Sequence, residues 1–259
     1  MIKLFRKIRQ KLLQENKIVK PAYQFGRYFK YAIGEIVLVV IGILIALQVS
    51  NWNQNRIKYS QEQDDLYNLK EELKDNIVDF ISLDSLYSKF EQSSADGLKL
   101  FNNNPKVEDF RKIDSLITTR LTVFPLTRSS YDEMLNTGKF YNLKNKLLKT
   151  KITQFYSKAD NYTQAFLEIN KETLNMLHHP DLYSYSLLLD RLKMESTSLK
   201  NIDTSWIKDQ NSKTYLAFYK KVNYIQEYSN QTRRELIAIQ IVACTDLVTL
   251  IDQELGNRK

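Results

Sequence analysis

An all-α fold carried on one membrane anchor is what this 259-residue sequence predicts, and three observations predict it. Gly and Pro number only six and four, whereas β-rich folds spend such residues on many turns. Apolar residues recur in alternating steps of three and four over much of the chain beyond residue 60, the period of helices with one buried face. One apolar run, Ala32 to Val49, is broken only by Glu35 and Gln48. With 43% hydrophobic residues the remainder can fill a core, so disorder is not the default.

The first element is basic. Residues 1–30 hold nine Lys and Arg against one acid, Glu15, which equals the net charge of the whole chain, +8. The sequence after residue 50 is close to neutral, as an ordinary solvated surface is, so no nucleic-acid partner is expected. In MIKLFRKIRQKLLQEN, Ile2, Leu4, Phe5, Ile8, Leu12 and Leu13 share one broad helical face, with most of the bases opposite. That pattern predicts an amphipathic helix lying on anionic headgroups, Phe5, Arg6, Lys7 and Arg9 being its interfacial residues. Lys20-Pro21 then interrupts the helix.

The second element, residues 31–52, reads as a transmembrane helix. Ala32 to Val49 would cover about 27 Å at 1.5 Å per residue, close to the thickness of a hydrocarbon core. Tyr31 and Trp52 stand at its two ends as headgroup-level aromatics. A cleavable signal is disfavoured, because the basic region before the run is too long and no small-x-small site follows. The nine bases ahead of the span keep the N-terminus cytoplasmic and export residues 53–259, into the periplasm of a bacterium's inner membrane. Gly34, Leu38, Gly42 and Ala46 recur in steps of four, a face on which a second copy or a partner helix can approach closely. Glu35 lies one turn inside the interface beside this face and is expected to serve helix packing rather than proton transfer, since no deeper polar group stands between Ile36 and Leu47.

The blocks IRQKLLQENK and YAIGEIVLVVIGILIALQVSNWNQNR, with the later SYDEMLNTGKFYNLKNKLLKTKITQFYS, resemble an uncharacterised bacterial family of single-pass membrane proteins, a domain-of-unknown-function family abundant in Bacteroidota. The resemblance implies an anchored helical architecture and carries over no activity and no catalytic residue.

The third element, residues 53–259, is expected to be an antiparallel bundle of long helices. Leu66, Leu69, Leu73, Phe80, Leu83, Tyr87 and Phe90 form a heptad seam with Asn76 in its remaining slot, so the anchor helix runs on toward FNNNPKVEDF. Phe110, Ile113 and Ile117 predict a short helix to about Arg120, and TVFPLTRSS a loop. Ser130 with Glu133 predicts a capping box for a short helix closed by Gly138. A long helix follows, with Leu148, Ile152, Phe155, Ala159, Tyr162, Phe166, Ile169, Thr173 and Met176 inward, stopped by Pro180. Leu182, Tyr185, Leu189 and Leu192 mark another short helix. A last one is expected from about Asp209 to Leu255, with Phe218, Val222, Ile225, Leu236, Ile239, Ala243 and Leu250 inward. LIAIQIVACTDLVTLI, Leu236 to Ile251, is short for a second span and contains Gln240 and Asp246, so a buried bundle helix is expected there.

Chemistry is sparse. Both histidines sit in His178-His179-Pro180-Asp181, where adjacent positions diverge by about 100° and suit a helix end better than a chelate. Cys244, the one cysteine, reads as a small core residue. Phe140-Tyr141, Phe155-Tyr156 and Tyr183/Tyr185 read as core rather than as a ligand pocket. No catalytic residue, cofactor site or metal site is expected. The sequence thus points to a non-enzymatic, single-pass inner-membrane protein whose exported helical domain binds a partner or ligand, with any signalling passed to a second protein. An envelope structural or assembly protein is the first alternative, and a membrane-tethered enzyme with an unrecognised site the second.

Overall fold

The structure, a computed structural model, describes residues 24–194 and 202–256, with side chains from residue 32. Among these every regular element is helical. In chain order they are α1 (Gln24–Asn102), α2 (Asp109–Leu116), α3 (Ser129–Asn136), a 3-10 turn (Lys139–Asn142), α4 (Lys146–Leu177), a second 3-10 turn (Pro180–Leu182) and α5 (Tyr183–Lys193). A third 3-10 turn (Ser205–Ile207) precedes α6 (Lys213–Asn223), a π-helical segment (Tyr224–Thr232) and α7 (Arg233–Gly256). The predicted interfacial helix, with Phe5, Arg6, Lys7 and Arg9, lies outside the described residues, as do 195–201 within the predicted polar connection.

Contacts divide the chain into two units, the second being Glu62–Lys259. In the first, α1 stands alone: every described side chain from Ala32 to Lys58 is exposed. Its best 18-residue window has a mean hydropathy of 2.6, and none of it is buried, so the chain has one helix long and apolar enough to cross a membrane among the described residues.

In the second unit α1, α3, α4 and α7 enclose one core, centred on Leu66, Leu69, Leu73, Phe80, Tyr87, Ile152, Phe166, Ile237 and Cys244. α7 runs antiparallel to both long helices, as the pairs Lys70–Asp252 and Glu91–Arg234 on α1 and Asn145–Glu254 beside α4 show. α1 and α4 run in the same direction, Glu62 meeting Lys144 and Glu72 meeting Tyr156, because the connection through α2, the loop and α3 brings the chain back to its starting end. A second, aromatic core gathers Phe101, Phe110, Tyr185, Trp206 and Phe218 from the end of α1, α2, α5, the third 3-10 turn and α6. Gly97 permits the approach of α2: a Cβ there would stand 3.0 Å from Ile117 Cγ1 and 3.1 Å from Leu116 Cβ.

Two local expectations are corrected. α3 begins at Ser129 with no cap from its own side chains, so the Ser130–Glu133 box does not form. Glu72 replaces it from across the core: Ser129 Oγ donates to Glu72 Oε2 at 2.8 Å and the Ser130 N–H at 2.6 Å. Gly138 closes this region at φ 73°, in the left-handed region that favours glycine. The inward face of α7 is also displaced by one position: Ile237, Gln240, Cys244, Leu247 and Ile251 are buried and Ile239 is 52% exposed, while Leu236, Ala243 and Leu250 pack half-buried at the edge of the core and Phe218, Val222 and Ile225 are buried as expected. The cause is the π segment, whose wider winding advances the buried face relative to an uninterrupted α-helix. Leu236–Ile251 lies within α7, a helix of this core.

Candidate functional site

The structure places the sequence-derived residues in two separate settings. Gly34, Glu35, Gly42 and Ala46 lie on exposed α1, and a Cβ at Gly34 or Gly42 would meet nothing within 4 Å. The small-residue stripe is therefore open along the helix. Tyr31 falls within α1, its side chain outside the described set, while Trp52 is 65% exposed with the Arg56 guanidinium 5.7 Å from its ring.

The second setting is the interior of the helical unit, where a polar layer separates the two cores along the chain. On α1 Ser94 lies between Tyr87 and Phe101; opposite it, Ser229, Asn230 and Arg233 lie between Ile225 and Ile237. The π segment and the first residue of α7 supply the latter three, all fully buried. Arg233 is the largest fully buried side chain, and no carboxylate reaches it among the described residues. Its Nη1 donates to Arg120 O at 2.8 Å, to the Tyr87 hydroxyl at 3.0 Å and to Ser229 Oγ at 3.2 Å, and its Nη2 to Asn170 Oδ1. The guanidinium also lies 5.3 Å from the Tyr87 ring centroid and 5.5 Å from that of Phe166. Neutral oxygens and ring faces thus take the place of a counter-ion, and desolvation lowers the Arg233 pKa from its ordinary value. Arg233 Nε and Asn230 Oδ1 are buried without a hydrogen-bond partner among the described residues.

This layer ties the irregular segment to the helices. Tyr87 OH donates to Arg120 O at 2.6 Å, Asn230 Nδ2 to Thr118 O at 3.0 Å, and Thr119 and Ser229 share a hydrogen bond of 2.7 Å. Further along the same segment, Asn76 brackets Thr127 with bonds of 2.7 and 2.8 Å. The polar residue in the predicted seam slot therefore holds a loop. Its two hydrogen bonds position the loop against α1.

Near the aromatic core, Lys221 is buried with its Nζ 3.4 Å from the Tyr185 hydroxyl and 4.0 Å from Asp114, and 4.6 Å from the Tyr185 ring centroid. Desolvation lowers its pKa against the opposing pull of Asp114. Tyr185 donates a short hydrogen bond to Asp114, and burial, then that carboxylate, pushes its pKa up. Outside the cores, an open cleft of about 550 Å³ between α1 and α3 is lined by Asp65, Glu71, Glu72, Asp75, Asp79 and Glu133.

His178 caps the end of α4, its N–H bonded to Leu174 O, and His179 Nδ1 accepts from the Asp181 N–H at 3.3 Å. Both therefore organise a helix end. Cys244 is fully buried, and desolvation pushes its thiol up to about 12. Phe140, Phe155, Tyr156 and Tyr185 are core residues as expected, whereas Tyr141 and Tyr183 are 68% and 70% exposed and belong to the surface. Tyr141 adjoins Phe140 in one 3-10 turn, and Tyr183 stands two positions before Tyr185 on α5, about 200° around the helix, so neither ring points inward with its buried neighbour.

Sequence reasoning missed Arg233, Lys221 and Glu72. For Arg233 a signal existed: Ile225, Ser229, Arg233 and Ile237 are spaced by four, so the arginine occupies a core slot.

Comparison with curated proteins and with solved structures finds no match. Comparison with protein families finds one, over residues 35–177, a segment that begins inside the apolar run, includes α2 and α3, and ends with α4. It covers more than half of the chain, which belongs to the Family of unknown function DUF6090.

Proposed function

We propose that this is a non-enzymatic, single-pass protein of a bacterial inner membrane, with its N-terminus cytoplasmic and its helical unit in the periplasm, where that unit binds a partner or ligand. One observation carries the reading: an apolar helix with no part of its best window buried is joined to a unit with two cores of its own. A helix that exposes so much apolar surface needs a non-aqueous environment, and its span matches a bilayer. The cytoplasmic placement of the N-terminus rests on the nine bases of residues 1–30. The binding role rests on an interior whose buried polar groups fasten the loop after α2 to the helices around it. Reporter fusions after Trp52 test the topology: a periplasmic reporter should be active and a cytoplasmic one silent, and the reverse result overturns the orientation. For the binding role, compounds of the envelope are screened against the full chain in detergent. A reproducible rise in Tm supports sensing, since a ligand that binds only the folded state stabilises it.

The assembly reading has a specific observation of its own, the open small-residue stripe at Gly34, Gly42 and Ala46. Stable oligomers formed without ligand and abolished by Gly42→Leu would favour it.

A further inference from the structure

We propose that the end of the helical unit at which α4 begins docks on anionic lipid headgroups, giving the protein a second membrane contact beyond its anchor; this rests on the anchored reading above. Three strands of contact define that end. The Lys144 N–H donates to Glu62 Oε1 at 3.1 Å, Lys139 Nζ reaches Asp65 at 2.9 Å, and Asn145 Nδ2 donates to Glu254 at 2.6 Å. The first residues of the unit, the first turn of α4 and the last turn of α7 therefore meet there.

The stretch that opens α4 there, KFYNLKNKLLKTK, contains five lysines and no acid of its own, the acids at this end, Glu62, Asp65 and Glu254, coming from α1 and α7 and meeting Lys144, Lys139 and Asn145. Asp65 neutralises Lys139, but Lys146 and Lys151 are exposed and make no ion pair among the described residues. Lys149 Nζ donates to Tyr141 O at 3.1 Å and stands 5.2 Å from the Tyr141 ring, which is 68% exposed. Leu147, between Lys146 and Leu148, is 63% exposed. Lysines interleaved with an outward tyrosine and leucine have the composition of an interfacial contact: the charges meet phosphate groups and the apolar tips enter the headgroup boundary.

Chain connectivity favours lipid over a soluble polyanion. Glu62 stands ten positions after Trp52, and even fully extended those ten steps span at most about 36 Å. The lysine-bearing end is thereby joined to the apolar run by a short length of chain, and each lysine that comes close to an anionic surface adds about a fivefold preference for contact.

The full chain is reconstituted into nanodiscs containing phosphatidylglycerol and brominated lipid, carrying an environment-sensitive fluorophore at Leu147→Cys in a Cys244→Ala background. A probe at Val78→Cys, an exposed position farther along α1, is the control. The expected result is stronger quenching at 147 than at 78, lost in discs of phosphatidylcholine alone, weakened by salt, and reduced on the order of tenfold by combined Lys146→Gln and Lys151→Gln. Equal quenching at the two positions, or quenching that ignores lipid charge and the lysine substitutions, overturns the proposal. So does protection of the 147 probe by added RNA or polyglutamate without lipid quenching, which assigns the patch to a soluble polyanion. A chain that fails to enter the discs refutes the anchored reading; a chain that enters but shows no quenching at 147 refutes the docking alone. Both substituted lysines are exposed, and circular dichroism checks that the fold is unchanged.

Discussion

Arg233 brings a charge into the interior, where four neutral oxygens and two ring faces receive it. Replacing it with methionine relieves the desolvation of the guanidinium but strips Asn170 Oδ1 of this donor and leaves Arg120 O with the Tyr87 hydroxyl alone. Each orphaned buried acceptor costs about 1–3 kcal/mol, so Arg233→Met should lose about 2 kcal/mol in urea unfolding of the full chain. A neutral or stabilising result would mean that desolvation outweighs the hydrogen bonds. Titration supplies a second residue-scale prediction. Burial, then Glu72, pushes the Tyr156 pKa far above its ordinary 10.0, and Tyr185 shifts the same way beside Asp114. Their contribution is present below pH 10 and is lost as pH rises, because the unfolded state releases those protons first. Cys244 acts in the same direction from pH 9.0 upward. Lys221 opposes them: its lowered folded pKa makes stability rise toward 10.5. Three groups outweigh one, so Tm should fall above about pH 10, and the fall should be shallower in Tyr156→Phe. These residues were hidden from sequence reading because their environments come from elsewhere in the chain. Arg233 depends on carbonyl and amide groups 113 and 63 residues away, and no local pattern encodes those meetings.

Helices were legible where one period governs them. The seams of α1 and α4 repeat apolar residues in steps of three and four, and Leu66, Leu69, Leu73, Phe80, Ile152 and Phe166 are indeed buried. α7 was legible as a helix but not in phase, because a π segment leaves no apolar signature and its polar residues Ser229 and Asn230 face inward. The start of α3 was misread for a related reason: a cap can come from a distant carboxylate as well as from the helix itself. Glu72 satisfies the Ser129 hydroxyl, the Ser130 N–H and, at 3.1 Å, the Tyr156 hydroxyl. Glu72→Ala leaves all three without their acceptor and should cost about 2 kcal/mol, with amide exchange at Ser130 and through α3 accelerating before that of α4. If exchange rises equally in α3 and α4, the carboxylate braces the whole core rather than one helix end. At the other end of this region, Gly138→Ala forces a side chain into the left-handed conformation and should cost about 1–2 kcal/mol without altering the Glu72 contacts.

At the scale of the molecule, the second unit supplies its own cores, whereas in the first no protein surface among the described residues buries Ile36, Val40, Leu44 or Leu47. That exposure is compatible with a surrounding solvent as apolar as those side chains, and the physics of insertion makes the reading quantitative. A charged residue at the centre of a span costs about 2.5–3.5 kcal/mol, a penalty that shrinks toward the interface. Val40→Arg, near the middle of the run Ala32–Val49, should therefore shift a measurable fraction of the chain into the supernatant on alkaline carbonate extraction. Glu35 stands only three residues from Ala32, where a carboxylate is cheaply tolerated, so Glu35→Gln should leave extraction unchanged. The pair separates two roles for α1. If Val40→Arg is released and Glu35→Gln is not, the helix acts as an anchor and Glu35 is available for contacts with a neighbouring helix, which a change in crosslinked partners in Glu35→Gln would then report. If Val40→Arg remains as firmly bound as the parent chain, the apolar face of α1 is covered by protein rather than lipid.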